Sequence, residues 1–123
     1  MKALRVLLVE DDALIGMLLA AMLEDAGHKT CAIAVTEAEA IAAAAEHRPD
    51  LMIVDVGLGK GSGVAAMEEI LRDWYVPHLF MTGNVARISA LRQHAVVLEK
   101  PFREPALLLA MQCALDVAAM HRP

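Results

Sequence analysis

The sequence predicts a doubly wound α/β domain, with five short parallel strands alternating with five helices that cover both faces of one sheet. Three observations predict it. Short apolar runs alternate with longer segments of helical periodicity. The run Leu51-Met52-Ile53-Val54 is continuously apolar, as a central strand buried on both faces requires. Acids, a threonine and a lysine stand directly after most of the runs, at the strand ends where such sheets keep their functional crevice.

Each element has its own signal. Leu4 to Val9, with β-branched Val6 and Val9, reads as the first strand. Ala13 to Ala26 follows as a helix, because Leu14, Ile15, Leu18, Leu19, Met22 and Leu23 recur at helical spacing; Gly27 is its natural stop. His28 to Val35 is the second strand. Thr36 and Glu39 have the spacing of a capping box, and the Ala-rich helix they open ends before Pro49. The third strand ends at Asp55. Gly57, Gly59, Gly61 and Gly63 then predict a loop, followed by a helix with Val64, Met67, Ile70 and Leu71 on one face. Pro77 to Met81 reads as the fourth strand, Ile88 to Gln93 as a short helix and Ala95 to Leu98 as the fifth strand. Pro105 to Met120 closes the chain as a helix with Leu107, Leu108, Met111 and Leu115 inward.

A chain of 123 residues is the size of one domain, so residues 1–123 are expected to fold as one unit. Apolar residues make up 58%, too many for a disordered segment. The net charge of −5 and the scatter of Lys and Arg argue against a nucleic-acid partner, which calls for a basic face. Cys31 and Cys113 form no metal-binding spacing and are expected to be small buried apolar residues in a reducing compartment. No apolar stretch reaches the roughly 20 residues that span a bilayer, and no signal-peptide core follows Met1, so a cytoplasmic protein without a membrane partner is expected. Most of the histidines are expected at the surface or at edges, none placed as a phosphodonor. Ala110, Ala114 and Ala118 read either as core packing or as a face for a homodimer.

The strand ends carry the chemistry. Glu10-Asp11-Asp12 follows the first, Asp55 ends the third, Thr82 follows the fourth and Lys100-Pro101 follows the fifth. Several carboxylates in one crevice repel, by about 4 kcal/mol for two unit charges roughly 4 Å apart at an effective dielectric of 20. A hard cation relieves this, and Mg²⁺ takes one or two carboxylates while keeping water and meeting phosphate oxygens. Lys100 offers a positive charge and Thr82 a hydroxyl. That set suits attack by a carboxylate on a phosphoryl donor, with Asp55 as the nucleophile. The glycines lack the order of either nucleotide-binding fingerprint, so a nucleotide cradle is excluded.

Taken in order, Val9-Glu10-Asp11-Asp12, Asp55-Val56-Gly57-Leu58, Thr82 and Lys100-Pro101-Phe102 resemble the receiver domain of bacterial two-component response regulators over essentially the whole chain. The separation of 44 from Asp11 to Asp55 resembles the family's spacing too. The resemblance implies a flavodoxin-like receiver fold, close to that of the stand-alone chemotaxis receiver. It makes Asp55 the phosphoacceptor and Asp11 a direct Mg²⁺ ligand. The Gly57 backbone carbonyl would be a further ligand, and Glu10 would reach the metal through water. Thr82 and Lys100 would meet phosphoryl oxygens, and Lys100-Pro101 would be a cis bond. Asp12 is either an added metal ligand or a cap of the first helix. The implied donor is a sensor histidine kinase or a histidine phosphotransfer protein. Output would be an unknown downstream protein contact or drainage of phosphoryl groups. The module would be no enzyme beyond its own phosphorylation and dephosphorylation.

Two positions depart from the family. Val97 stands three before Lys100, where an aromatic residue often lies, and the Thr82–Lys100 stretch is short. Phe80-Met81-Thr82-Gly83 resembles a subgroup with a Phe-Ala-Thr-Gly-Tyr segment, from which Met81 and Asn84 depart. These departures keep a pseudo-receiver, a protein-binding module that takes no phosphate, as an alternative. A Mg²⁺-dependent phosphohydrolase with an aspartyl-phosphate intermediate is a further one. Against it, Gly57 stands where enzymes of the haloacid-dehalogenase type carry a second Asp.

Overall fold

The computed structural model describes residues 2–84 and 95–121. The chain runs β1 (Arg5–Val9), α1 (Ala13–Asp25), β2 (Lys29–Ala34), α2 (Glu37–His47), β3 (Leu51–Asp55), β4 (Gly57–Leu58), β5 (Gly61–Ser62), α3 (Gly63–Leu71), β6 (His78–Thr82), β7 (Val97–Glu99) and α4 (Glu104–Ala119). Five strands form one parallel sheet in the order β2-β1-β3-β6-β7. The expected helix over Ile88 to Gln93 lies outside the described residues.

Strand alternation builds two cores, one on each face. Val6, Leu8, Leu51, Ile53, Leu79, Met81 and Leu98 point to one side, against Leu19 and Leu23 of α1 and Leu107 and Met111 of α4. Leu7, Val9, Met52, Val54 and Phe80 point to the other, against Ala40 and Ala44 of α2 and Ala66, Met67 and Ile70 of α3. Leu51 to Val54 are all fully buried, two on each side, which is why that stretch tolerates no polar residue.

Polar side chains close the helix ends. Asp12 Oδ1 accepts from the Leu14 and Ile15 amides at the start of α1. Thr36 Oγ1 accepts from Glu39 N at 3.1 Å, while Glu39 Oε1 reaches back to the Val35 amide, one residue before the usual capping-box partner. Gly27, with φ +90°, follows α1, and Lys100-Pro101 is cis.

Two expectations are corrected, and two are refined. The glycine stretch is an antiparallel hairpin, β4–β5, with α3 starting at Gly63, because small residues allow the chain to fold back at once. Cys113 is exposed and Cys31 half-buried, its thiol pushed up in pKa by burial against a weaker opposing pull from Arg5. His28, the exception among the described histidines, is buried at the entry to the edge strand β2, its Nδ1 accepting from Leu4 N. Of the two readings of Ala110, Ala114 and Ala118, core packing holds: they are buried within their own subunit, where small side chains let α4 lie close to the sheet. In α1, Leu14, Met17 and Leu18 face solvent while Leu19 and Leu23 face inward.

Candidate functional site

Strand order reverses between β1 and β3: from β1 the chain first moves outward to β2, then back across to β3. The carboxyl ends at such a switch point frame a crevice. The residues that follow β1 and end β3 are Glu10, Asp11, Asp12 and Asp55. Carboxylate oxygens of Glu10, Asp11 and Asp55 lie within 4.8 Å of one another. Asp11 is exposed, Asp55 half-buried and Glu10 buried, so the cluster opens to solvent on the Asp11 side.

Lys100, at the end of β7, spans the crevice. Its Nζ donates to Asp55 Oδ2 at 2.9 Å and to Glu10 Oε1 at 3.0 Å. The backbone sets this reach, since Lys100 N donates to Thr82 O as β7 pairs with β6. One ammonium among three carboxylates leaves the cluster negative. Burial, then a hydrogen bond with Asp55, pushes the Glu10 carboxyl up to about 7, against the pull of Lys100 and the Asp12 amide. Burial opposes the Lys100 charge, but its bonds to Asp55 and Glu10 outweigh that and hold its pKa above the ordinary value.

The hairpin supplies the third wall. Gly63 N donates to Val56 O at 2.9 Å, and Gly57 lies opposite Ser62. Because bonded and non-bonded pairs alternate in an antiparallel ladder, Gly57 and Ser62 form a non-bonded pair whose peptide groups face away from each other. The Gly57 amide then donates to Asp55 Oδ1 at 3.2 Å, and its carbonyl stands outside the ladder. A Cβ on Gly59, which has φ +54°, would sit 3.3 Å from Asp11 Oδ2, so the hairpin tip lies against the acids.

The residues that the sequence pointed to therefore divide. Glu10, Asp11, Asp55 and Lys100 come together, with Gly57 beside them. Asp12 turns to its helix, and its carboxylate lies outside the three-acid cluster. The Thr82 hydroxyl, buried at the end of β6, bonds both the amide and the carbonyl of Asn84 at 3.1 Å. Among the described hydrogen bonds, none joins its side chain to Asp55. Sequence reasoning did not find Glu37, whose carboxylate accepts from the Ser62 amide; a first-turn acid carries no signal for a contact 25 residues away.

The donor set fits a small hard cation. Among the described residues the cluster offers three carboxylates and no thiol or imidazole, which suits Mg²⁺ better than a softer metal. Glu10, Asp11 and Asp55 are the acids that can reach one ion together.

A doubly wound sheet that gathers acids, a lysine and a threonine at its carboxyl edge defines a signalling receiver module. The chain belongs to the response regulator receiver domain family, which it matches over residues 6–112. It is 36% identical over 105 residues to the phyllosphere-induced regulator PhyR of Methylorubrum extorquens, covering 82% of this chain and 39% of that one. It is 35% identical over 116 residues to the transcriptional regulatory protein PdtaR of Mycobacterium tuberculosis, covering 91% and 57%. The crystal structure of anti-anti-sigma factor PhyR from Bartonella quintana superposes with a TM-score of 0.84 at 30% identity, covering 97% of this chain and 50% of that one. The chain thus spans well under two thirds of these relatives. Among its described helices, none is long and apolar enough to cross a membrane.

Proposed function

We propose that the chain accepts a phosphoryl group on Asp55 from a sensor histidine kinase or a histidine phosphotransfer protein, and signals by a phosphorylation-dependent protein contact. The observation that carries this reading is the convergence of Asp55 with the Glu10-Asp11 pair and Lys100 from three separate places in the chain.

Asp11, Asp55 and the Gly57 carbonyl would hold Mg²⁺ directly, with Glu10 acting through water. The ion, when bound, neutralises charge on the transferring group. An Asp55 carboxylate oxygen forms the new O–P bond while the P–N bond to the donor histidine breaks. Lys100 transfers a hydrogen bond from the Asp55 carboxylate to a phosphoryl oxygen. The Thr82 hydroxyl leaves Asn84 to meet a second one, which couples the modified side chain to the loop after β6. Residues 1–123 would act as one such unit, either by contact with a downstream protein or by draining phosphoryl groups from a shared kinase. The relative described as an anti-anti-sigma factor favours a protein rather than a nucleic acid as the reader.

Labelling by acetyl phosphate with Mg²⁺ tests this. A hydroxylamine-labile phosphoryl group is expected on the native chain and absent in Asp55→Asn; full labelling of that variant would defeat the assignment.

One observation favours a second reading. Val97, half-buried in β7, cannot act as the rotating aromatic that receivers often carry there, as a pseudo-receiver would have no need of one. A Mg²⁺ titration separates the two readings. Binding lost in Asp11→Ala supports the phosphorylated receiver, and absence of binding supports the pseudo-receiver.

A further inference from the structure

We propose that Glu37 is a positioning residue for the metal site, acting through the hairpin and not by touching the ion; this rests on the Mg²⁺-binding reading above. Besides the burial of Leu58 in the core, three attachments hold the hairpin in place. Gly63 packs so closely on the end of β3 that a Cβ there would run into the Asp55 carbonyl and Val54 Cγ1. Gly57 N is held by Asp55 Oδ1. The third attachment is Glu37 at the start of α2, whose Oε2 accepts from Ser62 N at 2.9 Å. Gly61 has no side chain where one would collide with Glu37 Oε2, Cδ and Cγ, so the carboxylate lies directly against the hairpin backbone.

Ladder geometry gives the contact its consequence. Ser62 and Gly57 face each other as a non-bonded pair, so the Ser62 amide points out of the hairpin on one side and the Gly57 carbonyl out on the other. Glu37 takes the first, which fixes the orientation of the second. Ser62 also caps α3, its Oγ accepting from Ala65 N, so one residue ties α2, the hairpin and α3 together. Groups that orient a metal ligand from outside its shell typically change affinity by 10–100-fold when removed.

Glu37 is also a first-turn acid of α2 and would favour that helix through its charge alone. Three substitutions separate the roles. Glu37→Gln keeps the reach and an acceptor oxygen but loses the charge. Glu37→Asp keeps the charge but is one methylene short. Glu37→Ala loses both. Mg²⁺ affinity is read by calorimetry, and Ser62 amide exchange by NMR in the metal-free protein. If Glu37 positions the hairpin, Gln stays within about twofold of the native affinity, while Asp and Ala weaken it by about tenfold and speed Ser62 exchange together. Gly61→Ala, which displaces the Glu37 carboxylate while leaving residue 37 unchanged, weakens binding in the same way. The proposal is overturned if Asp binds like the native chain while Gln is weakened, or if all four variants bind alike. Should the native chain itself bind no Mg²⁺, the metal reading and this proposal both fall. That result is distinguishable from the others because Asp11→Ala would then change nothing either.

Discussion

Lys100 and Asp55 lie 45 residues apart in the chain, yet Nζ and Oδ2 are 2.9 Å apart at the edge of the sheet. The same ammonium holds Glu10, whose side chain is 1% exposed. In the metal-free protein Lys100 is therefore the counter-charge of two acids. Removing one partner of a buried pair strands the other and typically costs 3–5 kcal/mol. Lys100→Met should lower stability in EDTA by on the order of 3 kcal/mol in urea denaturation, with part of the loss recovered on adding Mg²⁺. A loss below about 0.5 kcal/mol would put this pair among ordinary surface bridges.

Glu10 sets a pH dependence whose sign is determined. Its carboxyl is raised to about 7 in the fold, from an ordinary value of 4.5. The folded state then holds the proton more tightly than the unfolded state does. The resulting stability is fully present below 4.5, is lost as pH rises toward 7, and is flat above. In EDTA the native chain should therefore lose stability across that window, while Glu10→Gln, which cannot titrate, should show a flatter curve. Parallel curves for the two proteins would remove Glu10 as the source.

Two glycines should respond unequally to the same substitution. A Cβ at Gly63 meets the Asp55 carbonyl, whereas one at Gly83 meets nothing within 4 Å among the described residues. Gly63→Ala must push the hairpin or the end of β3 aside and should cost at least about 1–3 kcal/mol, weakening Mg²⁺ binding as well. Gly83→Ala should fall within about 0.5 kcal/mol of the native chain. Thermal melts of both variants check this, and equal effects would contradict the packing at β3.

The sequence made the sheet legible because each strand is a local signal, a short apolar run with a polar residue after it. Four of the site residues were legible for the same reason, since a doubly wound topology brings strand ends to one edge: Glu10, Asp11, Asp55 and Lys100. The hairpin was not legible. Four glycines within seven residues are compatible with many loops, and what selects this one is contact with Glu37, Asp11 and the Asp55 carbonyl, none of them adjacent. The outward face of α1 was misleading because Leu14 and Leu18 keep helical spacing yet lie on the solvent side. Apolar spacing identifies a helix more readily than it chooses the inward face when most of the helix is apolar.

Asp11 and Asp12 are neighbours that a motif cannot tell apart, and the fold separates them. Asp11 joins Glu10 and Asp55 in the cluster, while Asp12 Oδ1 accepts from Leu14 N at 2.9 Å and Ile15 N at 3.2 Å. A cap needs an acceptor oxygen and no charge, so Asn serves nearly as well as Asp, whereas loss to Ala costs about 1 kcal/mol. Asp12→Asn should therefore keep both stability and Mg²⁺ affinity close to native. Asp12→Ala should lower stability by about 1 kcal/mol and weaken binding only to the extent that the start of α1 loosens. Asp11→Asn should do the reverse, sparing stability while removing most of the Mg²⁺ binding. Denaturation and Mg²⁺ titration on the same three proteins decide it. If Asp12→Asn lost the metal as fully as Asp11→Asn, Asp12 would be a ligand, and its cap would have to open for the ion to bind.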